Sequence, residues 1–124
     1  MATLHFTDLE LACRCGCGGL PPEATQAKLE ALRVAWGKPM RLSSAFRCPS
    51  HNVKVSKSGP NGPHTLGAFD VQVNGEDAFE LVKLAMSMGW TGIGLSQKGA
   101  LATRFIHIDA GLDATHPRPR LWSY

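Results

Sequence analysis

The sequence predicts an α+β domain, a small antiparallel or mixed sheet with helices packed against it. Three observations carry this. Two stretches, 21–36 and 74–90, place apolar residues at helical spacing; several others alternate apolar and polar residues; and the order is helix, strands, helix, strands. The 124 residues suit one compact unit spanning 1–124, and 44% hydrophobic with 19% charged residues is the composition of a globular chain. No repeat or low-complexity segment interrupts it.

Pro21 to Trp36 opens on Pro-Pro, carries Ala24, Ala27, Leu29, Leu32, Ala35 and Trp36 on a face expected to be buried, and stops at Gly37. In the following PMRLSSAFRCPSHN, Met40, Leu42 and Ser44 alternate with Arg41 and Ser43, which fits a short strand leading to a loop that carries Arg47. SKSGPNGP, residues 56–63, is rich in turn formers and reads as an exposed loop delivering His64. In AFDVQV, Phe69, Val71 and Val73 share one strand face while Asp70 and Gln72 share the other. A second helix follows, with Ala78, Leu81, Val82, Ala85 and Met88 as its apolar stripe and Glu76 and Asp77 near its start. TGIGLS and TRFIHIDAG are two further strands separated by the turn-like QKGA; in the second, Phe105, His107 and Asp109 face one way and Arg104, Ile106 and Ile108 the other. The segment HPRPRLWSY is expected to wrap the surface and plug a core edge with Trp122.

The net charge of +3 comes from scattered Lys and Arg, so no basic stripe marks a nucleic-acid partner, although a mildly basic surface favours an anionic polymer. The first residues lack the charged-then-apolar pattern of a secretory leader, and no run is long enough to span a bilayer. The expectation is a protein made in the cytoplasm, monomeric, without a membrane partner, and released by other means if its substrate lies outside. Cys13, Cys15 and Cys17 alternate, and Cys48 is distant. Free thiols, one disulfide to Cys48, and a thiolate cluster binding a structural zinc are the three readings, with C-x-C-x-C lacking the usual gap of a structural zinc site.

Chemistry concentrates in GPHTLGAFD and FIHID. Two histidines and a carboxylate, His64, Asp70 and His107, form a complete protein ligand set for one catalytic zinc, with the fourth corner left to water. Each pair lies on or beside an apolar strand, where an unpaired charge costs several kcal/mol unless it is coordinated or hydrogen-bonded.

Five ordered blocks, FTDLELACRCGCG, SSAFRCPSHN, GPHTLGAFDV, TGIGLS and FIHIDAG, resemble the zinc D-alanyl-D-alanine carboxypeptidase family. Within it the likeness is to the small phage endolysin and murein endopeptidase branches, part of the fold group of lysostaphin, the carboxypeptidases and hedgehog. The resemblance implies a zinc peptidase that cuts peptidoglycan peptides in the periplasm or cell wall, or as part of a virion. It implies His64, Asp70 and His107 as zinc ligands and Arg47 as the group that binds a substrate carboxylate or carbonyl. Two departures stand out. The family's first block separates His and Asp by seven residues where this chain has six, so a bulge or Gly67 must absorb the slip or Asp70 is displaced. Many members also place Glu three residues before the last ligand, where this chain has Arg104, on the opposite strand face. Asp109 is then the candidate general base, or the carboxylate that orients a zinc-bound histidine. His51 and His116 are further candidates for a hydrogen bond, and Gln97 and Lys98 for lining the cleft. The rival readings are a non-catalytic zinc-containing wall-binding or tail module of the same fold, and an interaction domain organised by cysteine-bound zinc.

Overall fold

A computed structural model describes residues 3–56 and 59–124. Four helices, α1 (Asp8–Leu11), α2 (Glu23–Trp36), α3 (Pro49–Val55) and α4 (Gly75–Ser87), accompany five strands: β1 (Leu42–Ser44), β2 (Ala68–Gln72), β3 (Gly92–Ser96), β4 (Phe105–Asp109) and β5 (Arg120–Ser123). They form one mixed sheet of order β1-β2-β4-β3-β5, antiparallel except for the parallel β3–β5 pair. No described helix is long and apolar enough to cross a membrane.

Strand alternation gives the sheet two unlike faces. Phe69 and Val71 of β2, Ile106 and Ile108 of β4 and Ile93 of β3 join Leu29 and Leu32 of α2 and Leu81 and Ala85 of α4 in one core. Each of these Phe, Val, Ile and Leu side chains, buried, contributes about 1.5–3 kcal/mol. The opposite face carries Asp70, His107 and Asp109, and opposite them on β3 only Gly92 and Gly94. The sheet is therefore a wall with an apolar back and a polar front, and the front is where chemistry can occur.

The buried stripe of α2 is Gln26, Leu29 and Leu32; Ala24, Ala27 and Ala35, expected inside, are exposed. The difference follows from size, since Leu fills the gap to the sheet and Gln26 enters because its Nε2 donates to Pro21 O at 2.8 Å. Residues 49–55, expected to continue a loop, form α3, whose Asn52 is fully buried. The 56–63 segment has its exposed positions, but Gly59–Asn61 and Pro63–Thr65 close into 3₁₀ turns and Gly62 is buried; residues 57 and 58 lie outside the described set. Trp122 does not plug the core edge. It belongs to β5, and parallel pairing with β3 sets it beside Gly94 on the polar front.

Candidate active site

Each of the three expected ligands comes from a different local structure. His64 sits in the 3₁₀ turn opened by Pro63 and is 7% exposed, not solvated as a loop histidine would be. Asp70 and His107 lie directly opposite each other in the β2–β4 ladder. Asp70 Oδ1 is 3.3 Å from His64 Nε2 and 3.2 Å from His107 Nδ1. The short His64–Asp70 spacing therefore does not displace the carboxylate. β2 keeps unbroken register with β4, and the irregularity falls in β1, between Leu42 and Ser44.

Hydrogen bonds fix which ring nitrogen points inward. His64 Nδ1 is 2.9 Å from Ala45 O, and a carbonyl can only accept, so Nδ1 carries a proton and Nε2 is the nitrogen turned to Asp70. His107 Nε2 is 2.7 Å from Asp109 Oδ2, which leaves Nδ1 facing Asp70. Asp109, fully buried, takes a two-pronged contact from Arg118, Nε to Oδ1 at 2.7 Å and Nη2 to Oδ2 at 2.7 Å. Asp70, His107, Asp109 and Arg118 thus form one alternating chain of charges.

The titration of these groups follows from that chain. Burial alone would raise the Asp70 carboxyl, but hydrogen bonds from His107 and His64 and their charge hold it well below the usual carboxylate range. Burial would lower His107, but Asp109 and Asp70, one at each nitrogen, raise it. Asp109, whose burial pushes upward, is lowered by Arg118 and His107.

The front opens into a cavity of about 350 Å3 lined by Arg47, Pro63, His64, Asp70, Phe105, His107, Trp122 and Tyr124, with Val55 and Ser56 at its edge. Arg47 Nη1 donates to Asn52 Oδ1 at 3.2 Å, so buried Asn52 on α3 steadies the guanidinium. Trp122 covers His107, with ring centroids 4.9 Å apart, and Arg118 lies over the indole at 5.3 Å. A second cavity of about 450 Å3, lined by His116, Arg118 and Arg120, shares Pro63 and Trp122 with the first.

Other expected lining residues are elsewhere. Gln97 donates to Val73 O and Phe105 O and lines a groove on the apolar face together with Arg104; Lys98 is exposed. His51 belongs to α3, and His116 pairs with Asp113 at 2.9 Å.

Arg118, Gly92 and Gly94 were not singled out by sequence, and Trp122 was given another place. A Cβ on Gly92 would run into the Asp109 carboxylate and the Arg118 guanidinium, and one on Gly94 would lie 2.5 Å from Trp122 Nε1. Two glycines at alternate positions of a strand are the signal that something approaches that face closely. Gly94→Ala is expected to expel Trp122 from the front at a cost of about 1–3 kcal/mol, the usual range for overpacking. Tryptophan fluorescence and urea unfolding would check it.

The three donors fit zinc. A tetrahedron with zinc bonds of about 2.0–2.2 Å has edges of about 3.3–3.6 Å, and the His64–Asp70 and Asp70–His107 separations are 3.3 and 3.2 Å. All three donor atoms lie within 4.8 Å of one another.

Searches of curated proteins and of solved structures return no match. The family description Peptidase M15 matches residues 3–109, which include all three candidate metal donors, Arg47 and Asp109 but not Arg118 or Trp122. With that match and this ligand set together, the chain belongs to peptidase family M15, the zinc D-alanyl-D-alanine carboxypeptidase family.

Proposed function

We propose that this M15 peptidase hydrolyses peptide bonds in the stem or cross-link peptides of bacterial peptidoglycan, using one zinc ion held by His64, Asp70 and His107. The observation that carries the reading is the cluster of three inward-turned donors at the floor of a cavity walled by Arg47. Bound there, zinc supplies a Lewis acid that lowers the pKa of a water and polarises a carbonyl. The chain's own groups prepare that chemistry. Ala45 O and Asp109 fix the two rings by their outer nitrogens, so the inner nitrogens already point at the place the ion would take. Arg47 offers a planar fork to a peptide carboxylate or carbonyl, and Trp122 keeps solvent off His107.

Of the two roles open to Asp109, positioning is the one its surroundings support. It is fully buried, lies at the nitrogen of His107 that faces away from Asp70, and has both oxygens engaged. When protonated, metal-free His107 donates from both nitrogens to carboxylates, so zinc must then displace its Nδ1 proton. Because its pKa is raised, zinc binding below that raised value is expected to release a proton from His107. Calorimetry of zinc binding in buffers of different ionisation enthalpy reads that number, and the release should fade as pH rises through the raised value.

A non-catalytic wall-binding module is favoured by one observation: among the described residues, Asp70 is the sole carboxylate lining the cavity. Mass spectrometry of fragments from purified peptidoglycan, with chelated and zinc-restored protein, separates the two. Zinc-dependent peptide fragments establish the peptidase reading and their masses name the bond. Their absence across several wall chemistries, with zinc bound, makes the non-catalytic module the better reading. The place of action under this reading is the periplasm or wall, reached by release or in a virion.

A further inference from the structure

The four cysteines, which the sequence scatters between residues 13–17 and residue 48, converge. Cys13 Sγ is 3.4 Å from Cys15 Sγ and 3.7 Å from Cys48 Sγ, and Cys15 Sγ is 3.6 Å from Cys48 Sγ. Cys17 completes a group whose sulfurs all lie within 4.8 Å of one another. We propose that Cys13, Cys15, Cys17 and Cys48 form a second zinc site, a structural one with four thiolates and no open corner.

Size is the first argument. A tetrahedron built on zinc–sulfur bonds of about 2.3 Å has edges of about 3.8 Å, and the separations among Cys13, Cys15 and Cys48 fall just inside that length. A disulfide would draw two sulfurs together and leave the other two without a partner, whereas here each of three sulfurs stands at nearly the same distance from the other two. Backbone support is the second argument. Cys48 N donates to Cys13 Sγ at 3.3 Å and Gly19 N to Cys17 Sγ at 3.4 Å, the kind of N–H contact that stabilises thiolate charge.

The sequence objection was the one-residue gap between ligands. The backbone answers it: Gly16 and Gly18 on either side of Cys17 both take left-handed φ, +86° and +80°, which curls 13–19 into a tight turn closed by Cys13 N to Gly19 O at 2.9 Å. Alternate residues of an extended strand would point the same way without meeting; in this curl they point to a common centre.

The location gives the site its use. Cys48 follows Arg47 in the 45–48 segment, and Ala45 O holds His64. Zinc on the four sulfurs ties the amino-terminal turn to the segment that shapes one wall of the active site. In a 124-residue chain such a staple adds to a modest core.

The test is zinc content by elemental mass spectrometry on full-length protein prepared under reducing conditions. Wild type is expected to hold two zinc ions per chain, and H64A/H107A one. Cys15 and Cys17 are exposed, so C15S/C17S removes no core packing; it should lose one zinc and its thermal stability. Cadmium added to H64A/H107A should give thiolate-to-metal charge-transfer absorption, absent from C15S/C17S. The proposal is overturned if H64A/H107A holds no metal, if its metal gives no thiolate absorption, or if C15S/C17S keeps two zinc ions. It is also overturned if thiol counting after reduction and zinc loading still finds two cysteines locked in a disulfide. The H64A/H107A outcomes do not depend on the peptidase site, which that variant has already removed, so failure of the thiolate site and failure of the peptidase reading are distinguishable.

Discussion

Arg118→Ala is expected to destabilise the metal-free protein by about 3 kcal/mol or more, because it leaves a fully buried carboxylate without its guanidinium. Urea unfolding of the chelated protein would measure it. Arg118→Lys should recover only part, since an ammonium cannot satisfy both oxygens in the plane of the carboxylate. The pH dependence has a definite sign. The folded pKa of Asp109 is depressed, so its contribution is fully present above the unfolded value of about 3.9 and is lost as pH falls through the folded one. Without Arg118 that loss should begin at higher pH. His107 behaves oppositely in the metal-free protein. Its raised pKa contributes stability below about 6.5 that disappears as pH rises through the folded value. Because Asp109 holds the ring, Arg118→Ala should also weaken zinc binding at His107 by about 10- to 100-fold.

His107→Ala should abolish peptide hydrolysis altogether and remove the catalytic zinc. Two ligands, one on a 3₁₀ turn, hold the ion poorly, and the Asp70 carboxylate loses one of its two partners. Asp109→Asn is the informative contrast. The amide oxygen it introduces can still accept from His107 and should leave weak zinc binding and residual turnover. A colorimetric zinc competition assay beside fragment release from peptidoglycan would separate the two variants: one loses metal and activity together, the other retains both at reduced level.

Much of this was legible in the sequence because it depends on periodicity. Phe69 and Val71 against Asp70, and Ile106 and Ile108 against His107 and Asp109, alternate in the text as they do across the sheet. What was not legible depends on contacts between distant segments. Thr7-Asp8-Leu9-Glu10 has the capping-box pattern, and α1 carries both reciprocal bonds, yet four residues give no period to read. Residues 49–55 escaped notice because Pro49 starts α3 while Ser50, His51 and Asn52 are poor interior formers; buried Asn52 and its bond from Arg47 hold it. The α2 alanines misled because Ala suits a helix on either face. Arg118 was invisible, being one of several scattered arginines, and only Gly92 hinted that a large group must enter.

The pairing of Asp70 with His107 across a regular ladder carries one more consequence. The backbone spacing beneath those two donors is set by the hydrogen-bonding distance of neighbouring chains, a length that side-chain motion alters little. In the proposed zinc site the sheet therefore acts as a gauge for ion radius. A larger ion such as calcium would have to pry β2 from β4, breaking backbone bonds, or drive His64 outward against Ala45. Discrimination among metals then resides in the stiffness of the main chain, and the histidine on the turn is the one jaw free to adjust.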